Sequence, residues 1–130
     1  MDALLVARWI HLLAAATWMG GLVVLGVAVV ALRGAGADRS LLQAVARAFA
    51  KASWIAMAIA ITTGLLQVAW MQLPWSYGRL HTKLGVVALA VVLALVHQLT
   101  ARRSSARARA ILQALILVVS LGIFAAAVML

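Results

Sequence analysis

The segment LLVARWIHLLAAATWMGGLVVLGVAVVAL, residues 4–32, decides the fold of this chain. An α-helix rises about 1.5 Å per residue, so about 20 apolar residues are enough to cross the hydrocarbon core of a bilayer. Arg8 and His11 are the only titratable side chains in the segment, and no basic region precedes it as in a secretory signal. The segment therefore predicts a transmembrane helix, in which His11 requires a polar partner inside the fold.

Three further segments are long and apolar enough to span a membrane, at residues 53–71, 80–100 and 111–130. Residues 40–54, SLLQAVARAFAKASW, have apolar side chains at helical spacing and basic side chains on another side. This pattern predicts an interfacial amphipathic helix that continues into the second span. We therefore predict an all-α polytopic membrane protein whose residues 1–130 form a single integral membrane domain, a four-helix bundle.

The connections between the spans carry turn and interface signals. Gly34 and Gly36 predict a break after the first helix, and Ser40 is the predicted N-cap of the second. The second connection contains the only proline of the chain. The aromatic residues around it are typical of a membrane–water interface; they are Trp70, Trp75 and Tyr77.

The composition excludes several kinds of chemistry. The chain is 68% hydrophobic and has a formal charge of +9, with no cysteine and only Asp2 and Asp38 as acids. Disulfides, thiolate metal sites and covalent c-type haem attachment are therefore excluded, and carboxylate-based catalysis has no residues to perform it. Because no aromatic residues interleave the basic ones, we expect no nucleic-acid partner.

The distribution of the basic residues predicts the orientation of the chain. Cytoplasmic connections of membrane proteins carry an excess of lysine and arginine. Both termini and the second connection are therefore predicted to face the periplasm, for a multi-pass protein of the bacterial inner membrane. The first connection carries Arg33, Arg39, Arg47 and Lys51, the third carries Arg102, Arg103, Arg107 and Arg109, and the second carries only Arg79 and Lys83.

Three histidines occur, and two of them are predicted to reach the same depth. His11 lies about 10 Å inward from Leu4, and His81 about 6 Å inward from Tyr77, on two helices that cross in the same direction. His97 lies about 24 Å further along the third helix, so it cannot share a ligand with His81. His11 and His81 are therefore the predicted metal ligands, and His97, which abuts the basic third connection, is the less favoured one.

The residues near these two histidines suit an anionic cofactor. Two neutral imidazoles on facing helices commonly hold haem iron, which predicts a b-type haem. Arg8 and Lys83 could pair with the haem propionates, and Gln67 lies at the same end of the second helix. Trp18, on the face of His11, and Gly21, which leaves room for a macrocycle, complete the predicted cofactor-binding residues.

Each of these residues also has a structural interpretation, which the sequence leaves open. A histidine in an apolar helix often only hydrogen-bonds a neighbouring group, and Trp18 and Gly21 could simply pack the helices. The long side chains of Arg8 and Lys83 could extend to the interface without binding anything.

Motifs in three helices carry a family resemblance. They are HLLAAATWMGGL at residues 11–22, TTGLL at 62–66 and HTKL at 81–84. This layout resembles the copper-resistance protein D family of membrane proteins, and it is similar to the four-helix membrane protoporphyrinogen oxidases, which are haem proteins. The resemblance implies a four-helix membrane fold with a ligand at the first-helix histidine. The residues that carry it are His11, Trp18, Gly21, Gly64, His81, Lys83 and Leu84.

The favoured function is electron transfer by a membrane-bound cytochrome b near the periplasmic face. The predicted partners are the lipid bilayer, a quinone or a periplasmic redox protein, and a second copy of the chain in a homodimer. Copper transport or copper resistance is the alternative function, with copper as the alternative cofactor. A protoporphyrinogen oxidase-like enzyme and a purely structural subunit remain as further alternatives.

Overall fold

The computed structural model of this chain is an arrangement of α-helices. It describes residues 2–72, 74, 76, 78–100, 103 and 105–129, and of residues 79, 128 and 129 it describes the backbone alone. Four helices are present in this part of the chain: α1 Ala3–Gly34, α2 Arg39–Trp70, α3 Gly78–Thr100 and α4 Ala106–Met129. The chain divides into two compact units, Met1–Leu73 with α1 and α2, and Pro74–Leu130 with α3 and α4.

All four helices are long and apolar enough to cross a membrane, over Ala3–Gly34, Arg39–Trp70, Leu80–Thr100 and Ala106–Ala127. Their outer faces are rich in large apolar side chains; Val30, for example, is 73% exposed and Leu99 is 78% exposed. Such faces are stable in lipid and not in water. The all-α class and the four predicted spans are thus confirmed, and the chain is a multi-pass membrane protein.

The second helix begins well before its predicted span. α2 is one continuous helix from Arg39, which confirms that the predicted lead-in segment is helical and continues into the second span. α4 also begins earlier than the predicted span, at Ala106, and the Ser105 hydroxyl accepts the N–H of Ala108 at 3.1 Å. Of the predicted interface and connection residues, Trp75, Tyr77 and Arg102 lie outside the described residues, as does the side chain of Arg79.

The turn between α1 and α2 follows the predicted glycines, but its capping residue differs from the prediction. α1 ends at Gly34, and Gly36 has φ +79°, a conformation that glycine adopts without strain. The N-cap of α2 is Asp38, whose carboxylate accepts the Leu41 N–H at 2.8 Å. Ser40, the predicted cap, lies inside the helix and donates its hydroxyl to Asp38 at 2.9 Å. The prediction of Ser40 was wrong because a carboxylate two residues earlier can reach the same first-turn amides.

This cap makes the start of α2 sensitive to acid. The Leu41 N–H and then the Ser40 hydroxyl hold the pKa of the Asp38 carboxyl below its usual value. The ionised Asp38 carboxylate therefore stabilises the fold fully above the pKa that this carboxyl has in the unfolded chain. That stabilisation is lost as the pH falls through the lower pKa of Asp38 in the folded chain. We expect Asp38→Asn to lose the acid-side part of the pH dependence of thermal unfolding in detergent. A pH profile identical to wild type between neutrality and pH 3 would contradict this assignment.

The core of the first unit is a single seam between α1 and α2. On α1 the buried residues recur at intervals of seven, four and four, as expected for one helix face packed along a neighbour. Half of its buried members are alanine or threonine, and such small side chains let two helices approach closely. Its buried members are Ala7, Ala14, Trp18 and Leu22 on α1, and Ala56, Met57, Thr63 and Val68 on α2.

The second unit packs α3 against α4 in the same manner. Ala90 and Ser120 are completely buried, and a methyl group placed on Gly122 would come 3.6 Å from Val86 Cγ1, which is ordinary contact. The remaining buried residues of this unit are Leu80, Ala94, Ile116 and Ala126.

Candidate functional site

His11 lies inside the seam of the first unit. Ala7, His11, Ala14 and Trp18 follow one another at helical spacing, so His11 occupies the core face of α1 between buried apolar residues. Its side chain is half-buried. The polar partner that the sequence predicts for His11 must therefore lie on the part of α2 that faces this side of α1.

The imidazole of His11 is anchored to the backbone of α2. Its Nδ1 atom lies 2.7 Å from the carbonyl oxygen of Ala60. A carbonyl oxygen can only accept a hydrogen bond, so we assign the proton of the neutral ring to Nδ1. Nε2 is then the nitrogen that carries the lone pair, which is the atom that a metal ion binds.

The Thr63 hydroxyl is a second partner of the same nitrogen. Thr63 Oγ1 lies 3.2 Å from His11 Nδ1 and donates its own proton to the Ile59 carbonyl at 2.7 Å. Because that proton is committed to α2, the hydroxyl oxygen can accept the Nδ1–H of His11. Thr63 is 8% exposed, so this polar contact is sheltered from the surroundings. Two acceptors therefore favour the same tautomer of the histidine.

Gly64 makes room for the ring. A methyl group added at Gly64 would come 3.2 Å from His11 Cε1 and 3.5 Å from His11 Nδ1, so the ring would have to shift. No similar crowding exists at Gly20 or Gly26, where an added methyl group would meet nothing within 4 Å. The sequence associates Gly64 with the site only through the family resemblance, whereas the structure gives it a physical reason.

Gln67 continues the polar row on α2 by one turn. Its amide Nε2 donates to the Thr63 carbonyl at 3.2 Å, and its side chain is half-buried. Arg8 lies one turn before His11 on α1 and is exposed. In the antiparallel pairing of the two helices, Arg8 and Gln67 therefore lie at the same end of the His11 contact.

Trp18 and Gly21 lie on the face that α1 turns to α2. Trp18 is 6% exposed, and a methyl group on Gly21 would come 3.8 Å from Ser53 Oγ, which is ordinary contact. Both residues thus contribute to the packing of the first unit, one as a large buried side chain and one at a close approach of the helices.

The other predicted residues belong to the second unit. His81, in the first turn of α3, is exposed, and Lys83 is half-buried. His97 is half-buried, and its Nδ1 atom is buried without a hydrogen-bond partner in the described part of the chain. Among the described residues, no group of three or more histidine, cysteine, aspartate or glutamate side chains could hold a metal ion.

Sequence reasoning missed the Ala60 carbonyl and the Thr63 hydroxyl as partners of His11. A backbone carbonyl has no sequence signal. Thr63 could have been found, because the pair Thr62–Thr63 precedes Gln67 by one helical turn and interrupts an otherwise apolar span. Its neighbour Thr62 is exposed and donates to the Ala58 carbonyl, so only one of the two threonines faces His11.

This difference between the two threonines gives a matched test of the contact. Thr63→Val removes one of the two acceptors of the His11 N–H, and we expect it to lower the free energy of unfolding by about 0.5–2 kcal/mol. Thr62→Val makes the same chemical change at an exposed position, and it should lower the free energy of unfolding by less than Thr63→Val does. The measurement is equilibrium unfolding of the purified chain in detergent. Equal effects of the two substitutions would refute the role of Thr63.

This arrangement of residues can hold one imidazole in a fixed tautomer and orientation. Metal-ligating histidines commonly donate their second ring N–H to a backbone carbonyl or other acceptor, and that contact orients the ring. A histidine with only a structural role can make the same hydrogen bond, so the two roles differ in what binds at Nε2.

Comparisons of the chain with protein-family models, with curated proteins and with solved structures found no match. The resemblance to the copper-resistance protein D and membrane protoporphyrinogen oxidase families therefore rests on its motif residues alone and stands as a hypothesis.

Proposed function

We propose that this chain is an integral membrane b-type haem protein that transfers electrons, with His11 as an axial ligand of the haem iron. The observation that carries the proposal is the contact of 2.7 Å between His11 Nδ1 and the Ala60 carbonyl. It leaves Nε2 as the basic nitrogen and fixes the plane of the ring. Haem iron takes its four equatorial ligands from the porphyrin, so a single histidine of this kind is enough to hold it on one side.

His81 is the proposed second axial ligand. This part of the proposal rests on the predicted topology, in which the first and third helices cross the membrane in the same direction and carry histidines at similar depth. Two histidine ligands fill both axial positions of the iron, which favours electron transfer over the binding of a substrate at the metal. In a homodimer, the second histidine could equally come from the other copy of the chain.

Arg8 and Lys83 are the proposed partners of the haem propionates, because a carboxylate near the end of a membrane helix requires a positive charge or water. Gln67, beside Thr63, supplies a further hydrogen-bonding group at the same end of α2. This placement near the predicted periplasmic face of a bacterial inner membrane suits exchange of electrons with a quinone or a periplasmic redox protein.

The content of haem and copper in the purified chain tests this proposal against its alternative. A neutral imidazole also suits copper, so the metal must be measured rather than assumed. Protein purified in detergent from haem-replete cells is expected to contain haem b, measured as the pyridine haemochrome, and less than stoichiometric copper. Stoichiometric copper without haem would support the copper alternative. A protein that contains neither haem nor copper would support the purely structural role.

A further inference from the structure

The Thr63 hydroxyl lies in a chain of hydrogen bonds that links the backbone of α2 to the imidazole of His11. It donates its proton to the Ile59 carbonyl at 2.7 Å, and the Ala60 carbonyl is a further acceptor at 3.2 Å. Its oxygen lies 3.2 Å from His11 Nδ1. One side chain thus connects the peptide carbonyls of one helix with a titratable ring of the other.

The contact of His11 with Ala60 sets the direction of this chain of hydrogen bonds. Nδ1 must carry a proton at 2.7 Å from the Ala60 carbonyl oxygen, because two lone pairs would repel each other at that distance. The Thr63 hydroxyl therefore accepts from Nδ1 and does not donate to it. Since the hydroxyl donates at the same time to the Ile59 carbonyl, each hydrogen bond polarises the next and strengthens it.

The surroundings of these hydrogen bonds are apolar. Thr63 is 8% exposed, and Ala14, which follows His11 on the same face of α1, is 7% exposed. The sequence of α2 has no charged residue between Lys51 and Trp70. A hydrogen bond has a larger electrostatic effect in such a medium than in water. A change in one acceptor of Nδ1–H is therefore felt across the imidazole ring.

A hydrogen bond from Nδ1–H raises the electron density on the opposite nitrogen of the ring, Nε2. Acceptors at a metal-bound histidine raise the basicity of the ligand in this way, and second-shell hydrogen bonds are one of the means by which proteins adjust haem. A more strongly donating nitrogen stabilises the oxidised metal, which has the higher charge. Two acceptors at Nδ1 therefore lower a reduction potential more than one acceptor does.

We propose that Thr63 lowers the reduction potential of the haem whose iron binds His11 Nε2, by accepting a share of the Nδ1–H hydrogen bond. This inference rests on the proposed function. Thr63 is a positioning residue in this role, since it acts on the metal only through His11. The ring keeps its Nδ1 proton while one electron is exchanged between the iron and the quinone or redox protein. The Ala60 carbonyl, at the shorter distance, holds the ring in place.

Potentiometric titration of the full chain in detergent, with haem supplied in excess and followed by absorbance, tests this role. The test variant is Thr63→Val, which replaces the hydroxyl by a methyl group of similar size. Thr63→Ala guards against a steric effect of the valine, and Thr63→Ser keeps a hydroxyl at the position. Thr62→Val is the matched control, because it makes the same change at the exposed threonine that donates to the Ala58 carbonyl.

Thr63→Val and Thr63→Ala are expected to bind haem and to have a higher midpoint potential than wild type. The equilibrium constant for reduction should rise about threefold, which is of the order of one hydrogen bond. For a one-electron couple this change is about 30 mV. Thr63→Ser and Thr62→Val should remain close to the wild-type potential.

The outcomes separate this inference from the proposed function. Haem binding by all proteins with equal potentials in wild type and Thr63→Val overturns the role of Thr63 alone, as does an equal shift in Thr62→Val. Loss of haem binding in Thr63→Val also overturns it, because a residue that only adjusts the potential is not required for binding. A wild-type chain that binds no haem overturns the proposed function and this inference together.

Discussion

The His11→Ala protein is expected to be purified without haem under conditions in which the wild-type chain carries it. The substitution removes the ring whose Nδ1 atom lies 2.7 Å from the Ala60 carbonyl, and with it the proposed axial nitrogen. Loss of residues that only support a metal ligand commonly costs 10–100-fold in affinity. Loss of the ligand itself should therefore cost at least about 100-fold, which the haem content of the purified protein will report.

Two controls separate loss of the ligand from loss of the fold. His97→Ala removes another half-buried histidine from a membrane helix and should leave the haem content unchanged. Free imidazole added to His11→Ala together with haem should restore part of the visible spectrum, because it can occupy the space left by the side chain. Full haem content in His11→Ala would exclude His11 as a required ligand.

Gly64→Leu is expected to have the second-largest effect, although Gly64 contributes no side chain. Even a methyl group there would come 3.2 Å from His11 Cε1, and a leucine side chain adds three more carbon atoms in the same direction. The imidazole would have to leave its place, and the hydrogen bond to Ala60 would break. We expect haem affinity to fall about 10–100-fold, as for other changes to the support of a metal ligand.

Gly20→Leu is the matched control, since it is the same substitution at a glycine where an added methyl group meets nothing within 4 Å. Gly64→Ala should give an intermediate result, because the ring need move by only a few tenths of an ångström. Haem titration followed by absorbance measures all three variants. Equal affinities for Gly64→Leu and Gly20→Leu would show that the close approach at Gly64 has no part in the binding of haem.

The sequence predicts the class of the fold and the inward position of His11, because both follow from hydropathy and helical spacing. The 29-residue apolar segment that begins at Leu4 could hardly be anything but a membrane helix. The same hydropathy does not locate the ends of helices that extend into water. The prediction therefore missed two features of the helix ends: α4 begins at Ala106, before the predicted span, and Asp38 rather than Ser40 caps α2.

The partners of His11 could not be predicted, because they depend on which residues of two helices lie side by side. A shift of α2 by one turn would replace Thr63 by Gln67 or by Ile59 without any change in hydropathy. Gly64, one turn further along α2, leaves room for the imidazole to approach the Ala60 carbonyl. Such a register is decided by close packing in the seam, which no single-sequence pattern encodes.

The absorption spectrum of the detergent-purified wild-type chain, first oxidised and then reduced with dithionite, tests the central claim most directly. We predict a Soret band and, after reduction, sharp α and β bands of a low-spin haem with two histidine ligands. These bands should be lost in His11→Ala and in His81→Ala. A folded wild-type protein from haem-replete cells with a featureless visible spectrum would contradict the assignment of this chain as a haem protein.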